Sequence, residues 1–421
     1  MKRTMLHKLT WTLSTLFALL SLVACSAQPA PQGLVVHASD KPRQQADAAE
    51  NPDLAALVEG NNAFAYELYQ ALRADAGNLL VSPYSISLAL AMTYAGARGD
   101  TEQQMAETLH FLPQDELHAA MNALDQTLTR IPEGETDFEL HVVNATWGQN
   151  GYTFLESYLD TLAQYYGAGM RTLDFEREPE QSRLEINHWA SEETNQRIED
   201  LLPPGSIDAA TTLVLANAIY FKAGWAEPFM DNGTYEEDFL LLDGTTVPVQ
   251  LMTGAMDVRY AQGTGYQAIE IPYSDGKTSM LILLPDEGQF EGFAGALDGT
   301  TVSAIIDGLQ PAHLTVRLPK FGYESDLALA DVLIEMGMPA AFSGADFSGM
   351  DGTKELFIDQ VYHKTFIEVD EQGTEAAGAT AVVMKRLAMA PEIRIDRPFI
   401  YAIRDGQTGS TLFVGQVLDP R

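Results

Sequence analysis

The order of its hydrophobic periods constrains this chain most: helical spacing clusters early and strand-like patterning dominates later. After residue 52 there is no second linker, no internal repeat and no low-complexity run, so 53–421 reads as one folding unit. Leu54, Leu57, Val58, Phe64, Leu68 and Leu72 keep a helical period that closes near Gly77. Ser82-Pro83 then opens another helix, since serine caps well and proline is tolerated in the first turn. Its body, 86–95, is almost wholly apolar, which predicts burial on all sides. Further helices are expected over 102–109, 154–166, 182–201 and 327–336. Strands are expected over 140–147, 211–222, 267–272, 279–285, 314–321 and 356–369. At the end, 399–404 and 411–417 form a hairpin around Asp405-Gly406-Gln407-Thr408-Gly409. Helices first and strands later specify an α+β fold and not a βαβ array.

Twenty-five Lys plus Arg stand against 59 Asp plus Glu, a formal charge of −34, which argues against nucleic-acid binding. One cysteine makes neither an intrachain disulfide nor a cysteine-based zinc site. Lys2, Arg3, His7 and Lys8 precede an apolar run over 9–24, too short for a membrane span and suited to export. The lone cysteine ends it in Leu22-Val23-Ala24-Cys25, which resembles a bacterial lipobox: 1–24 would be the signal peptide and Cys25 the lipidated residue. An ordinary signal with an incidental cysteine is the alternative. Residues 25–52, rich in Ala, Gln, Pro and Asp, read as a flexible tether holding the domain off a membrane.

No catalytic constellation is present. There is no Gly-x-Ser-x-Gly elbow, no His-Glu-x-x-His and no phosphate-binding loop, and the eight histidines show no pair at helical ligand spacing. Gly263-Thr264-Gly265 reads as a turn, and Arg98-Gly99-Asp100 as a junction between helices. The sequons at Asn144 and Asn232 carry no weight beside a bacterial-type signal. The one unusual segment is 371–383, where small residues fill positions 376–381 immediately after an apolar strand pattern. Such a string suits a segment that must slide into a crowded sheet.

That segment, Glu371-Gln372-Gly373-Thr374-Glu375-Ala376-Ala377-Gly378-Ala379, resembles the proximal hinge of the serpins, the serine protease inhibitor family. Other stretches resemble the family in its order: Ser82-Pro83-Tyr84-Ser85-Ile86, Gly96 to Thr101, Asn217 through Trp225 to Phe229, Leu318-Pro319-Lys320-Phe321, Val361-Tyr362-His363-Lys364 and Asp396-Arg397-Pro398-Phe399. The likeness spans 53–421. It implies three sheets, eight or nine helices and an exposed reactive-centre loop over about 371–391. It also implies no enzyme activity, no cofactor and no metal.

By the same resemblance, a protease cleaves the loop, forms an acyl-enzyme, and is carried off as the loop inserts into the main sheet. Thr374 is the first inward-facing hinge residue. Alternation then places Ala376, Gly378 and Thr380 inward and Glu375 outward. Family spacing places the residue before cleavage 14 positions after Gly373 and 11 before Pro398, and both counts give Leu387, so the reactive bond is Leu387–Ala388. Arg386 is the alternative. A leucine there favours chymotrypsin-like, elastase-like or subtilisin-like targets, Arg386 a trypsin-like one, and a cysteine protease stays open. Ser82, Ser85, Asn217 and His363 match the shutter; Trp225, Lys320 and Glu371 match the breach, the last two as an ion pair. The expected protein is a monomeric inhibitor, exported and held by lipidated Cys25 on the outer face of a bacterial membrane, or secreted. The rival reading is a non-inhibitory serpin-fold binding protein cleaved as a substrate.

Overall fold

Two hydrogen-bonded strand networks and a set of early helices organise the chain, seen in a computed structural model that describes residues 33–74, 77–130, 138–374 and 391–421. Cys25 and the loop residues Glu375, Ala376, Ala377, Gly378, Ala379, Arg386, Leu387 and Ala388 lie outside the described residues.

The helix Pro83–Tyr94 forms as its sequence dictates. The Ser82 side chain accepts from the Ser85 amide, Pro83 occupies the first turn, and all twelve residues are buried. A helix apolar on every side needs cover on every side. It finds that cover under the main sheet, against strands Glu139–Gln149 and Leu213–Gly224 and the C-terminal strand Thr411–Val417.

The main sheet has seven strands in the order Val35–His37, Met170–Leu173, Glu139–Gln149, Leu213–Gly224, Gly373–Thr374, Ile358–Val369 and Phe321–Ala328. Its centre carries a parallel seam. Leu213–Gly224 and Ile358–Val369 run in the same direction and pair directly from Ile358↔Leu213 to Phe366↔Tyr220, with one irregularity near Gln360. On the outer sides both are antiparallel to their neighbours, Glu139–Gln149 and Phe321–Ala328.

The second network has nine strands. The resemblance implies three sheets, and the difference lies in one 18-residue strand, Thr246–Gly263. It pairs with Tyr235–Leu240 at its start, with Gln310–Pro319 along its middle and with Tyr266–Pro272 at its end, which joins two groups of strands into one ladder. Gly263-Thr264-Gly265 is the turn of that last hairpin, with Gly265 at φ +82°.

Several boundaries moved for local reasons. The helix expected over 182–201 is Pro179–Glu193; beyond it Asn195 and Gln196 adopt positive φ, which stops the helix. The strand expected over 314–321 is two strands. The chain leaves the nine-stranded network at Pro319 and enters the main sheet at Phe321, so Lys320 sits at the crossing. Helices Gln114–Leu128 and Gly299–Gly308 were not foreseen.

The expectation of a flexible tether fails from Gly33 onward. Val35–His37 pairs antiparallel with Met170–Leu173 and becomes the edge of the main sheet. Lys41 and Ser39 meet Asp160 at 2.6 and 2.5 Å, Arg43 meets Asp125 at 2.5 Å, and the Gln44 amide donates to the Gln164 carbonyl. The segment is short of apolar residues because ion pairs and backbone bonds hold it, and local periodicity does not show these.

Candidate functional site: the hinge and the central seam

The site begins where the strand Ile358–Val369 ends. The chain reverses through Asp370–Gln372: the Asp370 carboxylate accepts from the Gln372 and Gly373 amides, and the Asp370 amide donates to the Gly373 carbonyl. Gly373 and Thr374 then enter the top of the seam, antiparallel to both walls, with Gly373↔Gly224, Thr374↔Ala223 and Val369↔Thr374 in register. No side chain fits at the first position. A Cβ on Gly373 would lie 2.1 Å from the Ala223 carbonyl oxygen.

Thr374 is 1% exposed and faces inward, its hydroxyl 2.7 Å from that of Tyr273. Burial pushes the Tyr273 phenol well above its ordinary range, so it stays protonated. Tyr273 stacks on Trp225 with centroids 4.7 Å apart. Trp225 in turn holds the turn from both ends of its residue: its indole donates to the Asp370 carbonyl and its amide to the Gln372 carbonyl.

Glu371 and Lys320, matched from sequence as a breach pair, stand 2.5 Å apart, and the Thr234 hydroxyl donates to the same carboxylate at 2.5 Å. Partial burial opposes ionisation of Glu371, but the Lys320 ammonium and the Thr234 hydroxyl outweigh it and hold the carboxyl below its usual range. Thr234 had no role in the sequence reading beyond completing a sequon.

Lower in the seam, Asn144, Asn217 and His363 occupy one register row across three strands. The Asn217 amide donates to the Asn144 side chain and, at 2.6 Å, to the Ser85 hydroxyl; the His363 Nδ1 meets the Asn217 carbonyl oxygen. His363 Nε2 accepts from the Ser82 amide at 3.0 Å, and the Ser82 hydroxyl donates to the Leu412 carbonyl. Nε2 is an acceptor, so the proton sits on Nδ1 and points to Asn217. Burial drives the imidazole pKa down to about 3, which fits that neutral form.

The four shutter residues named from sequence are thus brought together, with Asn144 as a fifth. Sequence reading met Asn144 as a sequon; its place on an alternating strand opposite Asn217 was the missed signal. One contact matters most mechanically. The Asn217–His363 bond crosses the seam, whereas Asn217–Asn144 lies to one side of it.

The described residues resume at Pro391. Glu392–Arg394 runs parallel to Thr315–Arg317, and Glu237 bridges Arg317 and Arg394 at 2.7 and 2.8 Å. Arg394 and Arg397 also both reach Asp396. Among the described residues no three His, Cys, Asp or Glu side chains gather as metal ligands would.

Residues 59–420 match the family model described as serpin (serine protease inhibitor). A serpin-like protein of Thermococcus kodakarensis is 39% identical over 373 residues, which cover 87% of this chain and 86% of that one. Leukocyte elastase inhibitor A of Mus musculus is 36% identical over 379 residues, covering 86% of this chain and 99% of the relative. Among solved structures, the thermophilic serpin tengpin in its native state aligns with a TM-score of 0.80 at 28% identity, covering 90% of this chain and 97% of that one. Uncleaved ovalbumin aligns with a TM-score of 0.78 at 26% identity, covering 87% and 100%.

Proposed function

Because the chain belongs to the serpin family, we propose that it is a suicide-type inhibitor of serine endopeptidases that traps its target through loop insertion. The observation that carries this reading is the seam: two parallel strands with an antiparallel hinge already seated between their upper ends.

In the proposed mechanism the protease serine attacks the Leu387 carbonyl. The peptide bond breaks, Ala388 leaves as a new amino terminus, and Leu387 stays esterified to the enzyme. The hinge end then slides down the seam, parting the eight paired positions between Ile358 and Phe366 and the Asn217–His363 bond. One parallel ladder is replaced by two antiparallel ones, each the better-aligned kind. Every net backbone bond gained stabilises by about 1 kcal/mol. The attached enzyme is dragged along, and loss of its oxyanion geometry stops hydrolysis of the ester.

Three features support that course. Gly373 and Thr374 already have the register of an inserted strand. The following residues 376–381 are all small, so none meets a steric bar in the sheet. The seam is crossed by neutral hydrogen bonds at the shutter, which part more cheaply than a buried ion pair.

Leu387 suits elastase-like, chymotrypsin-like or subtilisin-like pockets, and several relatives are named leukocyte elastase inhibitors. A trypsin-like target would use Arg386. The protein acts as a monomer, exported and anchored by a lipid on Cys25, or released if the signal is cut elsewhere.

The test mixes the purified domain with pancreatic elastase, chymotrypsin, subtilisin and trypsin in equal molar amounts on a denaturing gel, followed by sequencing of the released peptide. A stable complex with a peptide beginning at Ala388 is expected. A peptide beginning at Leu387 moves the bond to Arg386. Cleavage by all four without any complex overturns the inhibitory reading in favour of a serpin-fold protein cut as a substrate.

A further inference from the structure

The strand Tyr235–Leu240 links the two anchors of the proposed reactive loop. Just before its start, the Thr234 hydroxyl donates to the hinge carboxylate of Glu371. At its end, the Leu240 amide donates to the Asp396 carbonyl, just past the distal strand Glu392–Arg394. Between the two, Glu237 meets Arg394 at 2.8 Å. The strand pairs with Thr246–Gly263 on one side, and no described strand pairs with its other edge.

Alternation sends Glu237 and the buried Phe239 to one face and Glu236 and Asp238 to the other, where both are exposed. Unlike Glu237, neither of these carboxylates meets a cation among the described residues. Asp231, beside the hinge, also lacks a cation and accepts from the Gln372 side-chain amide at 3.1 Å. Tyr235, in the same run, is 61% exposed. An aromatic face among carboxylates attracts guanidinium and ammonium groups. The cations around the loop ends are already spent: Arg317, Lys320, Arg394 and Arg397 all meet carboxylates. The loop itself is neutral in sequence, Glu371 and Glu375 balancing Lys385 and Arg386. In a chain of formal charge −34, the field at the loop is therefore negative and comes from the body.

We infer that the proteases this chain receives are cationic, and that Asp231, Glu236 and Asp238 with the Tyr235 ring form the surface that meets their lysines and arginines. Unpaired carboxylates between the two ends of a neutral bait raise the local concentration of a basic enzyme before it touches the loop. Screening limits the range to about 8 Å at physiological salt, so acids near the loop outweigh those on distant helices. The inference rests on the reading of 371–391 as protease bait, and not on the trapping step.

The test measures the second-order rate of loop cleavage in the intact protein, counted whether or not a complex survives. Native chymotrypsin, cationic at neutral pH, is compared with succinylated chymotrypsin, whose lysines carry carboxylates; both are active-site titrated. Between about 0.02 and 0.5 M NaCl the native enzyme should slow about tenfold, and the succinylated enzyme should not slow. At low salt, joint Asp231→Asn, Glu236→Gln and Asp238→Asn should slow the native enzyme about fivefold, a difference that vanishes at high salt. Joint Glu107→Gln, Asp115→Asn and Glu116→Gln removes the same charge from exposed positions on the early helices and should change the rate by less than about 1.5-fold. Equal salt dependence for the two enzymes, or equal slowing by the two sets of substitutions, overturns the inference even where a complex forms. Absence of cleavage by both enzymes overturns it as well. Steered cleavage without a complex upholds it and removes the trapping mechanism instead.

Discussion

The two ends of the proposed reactive loop are held by different kinds of chemistry. At the hinge, Gly373 and Thr374 sit inside the sheet on backbone bonds, one buried hydroxyl pair and small side chains. At the far end, Glu392–Arg394 lies in the other strand network, with Arg317, Arg394 and Arg397 tied through Glu237 and Asp396. The first end is packed to slide: the two residues inside the sheet, Gly373 and Thr374, are small, and beyond Glu375 the residues 376–381 are small as well. The second is pinned by several charged contacts. Cutting between them should therefore release one end into the sheet and leave the other in place.

The sharpest way to break this contrast is to make the sliding end unable to enter. Thr374→Arg puts a charge where the side chain is buried against Tyr273, at a cost of several kcal/mol. Complex yield should fall at least tenfold while cleavage continues, as read on gels; an unchanged yield would refute insertion through this position.

Gly373→Val comes next, since its Cβ would collide with the Ala223 carbonyl. The hinge should leave the sheet, and limited proteolysis at 375–390 should quicken about tenfold, which corresponds to about 1.4 kcal/mol of lost hinge stability.

A smaller effect is expected at the shutter. Asn217→Ala leaves the Nδ1 proton of His363 unanswered and should cost about 1–3 kcal/mol, measured by denaturant unfolding. His363 also sets a pH dependence. Its folded pKa of about 3 lies below its unfolded value of 6.5, so the unfolded chain binds the extra proton between them. Its contribution is complete above pH 6.5 and is lost as pH falls towards 3. His363→Gln should therefore flatten the stability profile over that window relative to the parent, and an unchanged slope would contradict the neutral, buried imidazole.

The smallest effect belongs to the half-exposed Lys320. Lys320→Ala removes the Glu371 pair and should change stability by only about 0–1 kcal/mol. A loss as large as that from Asn217→Ala would mean the hinge is held by charge after all.

Legibility from sequence followed the range of the interactions involved. The buried helix Pro83–Tyr94 was readable because cap, proline and apolar body are all local. The hinge was readable because a run of small residues is rare and adjacent to a strand. The order Ser82, Asn217, His363 emerged only through family resemblance, for contacts between residues 146 and 281 positions apart leave no local trace. The N-terminal segment was misread for the same reason: Arg43 finds Asp125, and Lys41 finds Asp160, across long separations. Lys320 shows the mixed case, a residue placed by resemblance whose position at a strand-to-strand crossing explains its reach to Glu371.

The central claim is that the cut loop fills the seam, and thermal unfolding before and after cleavage tests it most directly. The protein is nicked at the loop by a protease that leaves no complex, both halves are kept together, and the two forms are melted side by side. A filled seam replaces one parallel ladder by two antiparallel ones, and at about 1 kcal/mol per net bond this predicts a melting temperature raised by about 10 °C or more. An equal or lower melting temperature in the nicked protein would contradict the account.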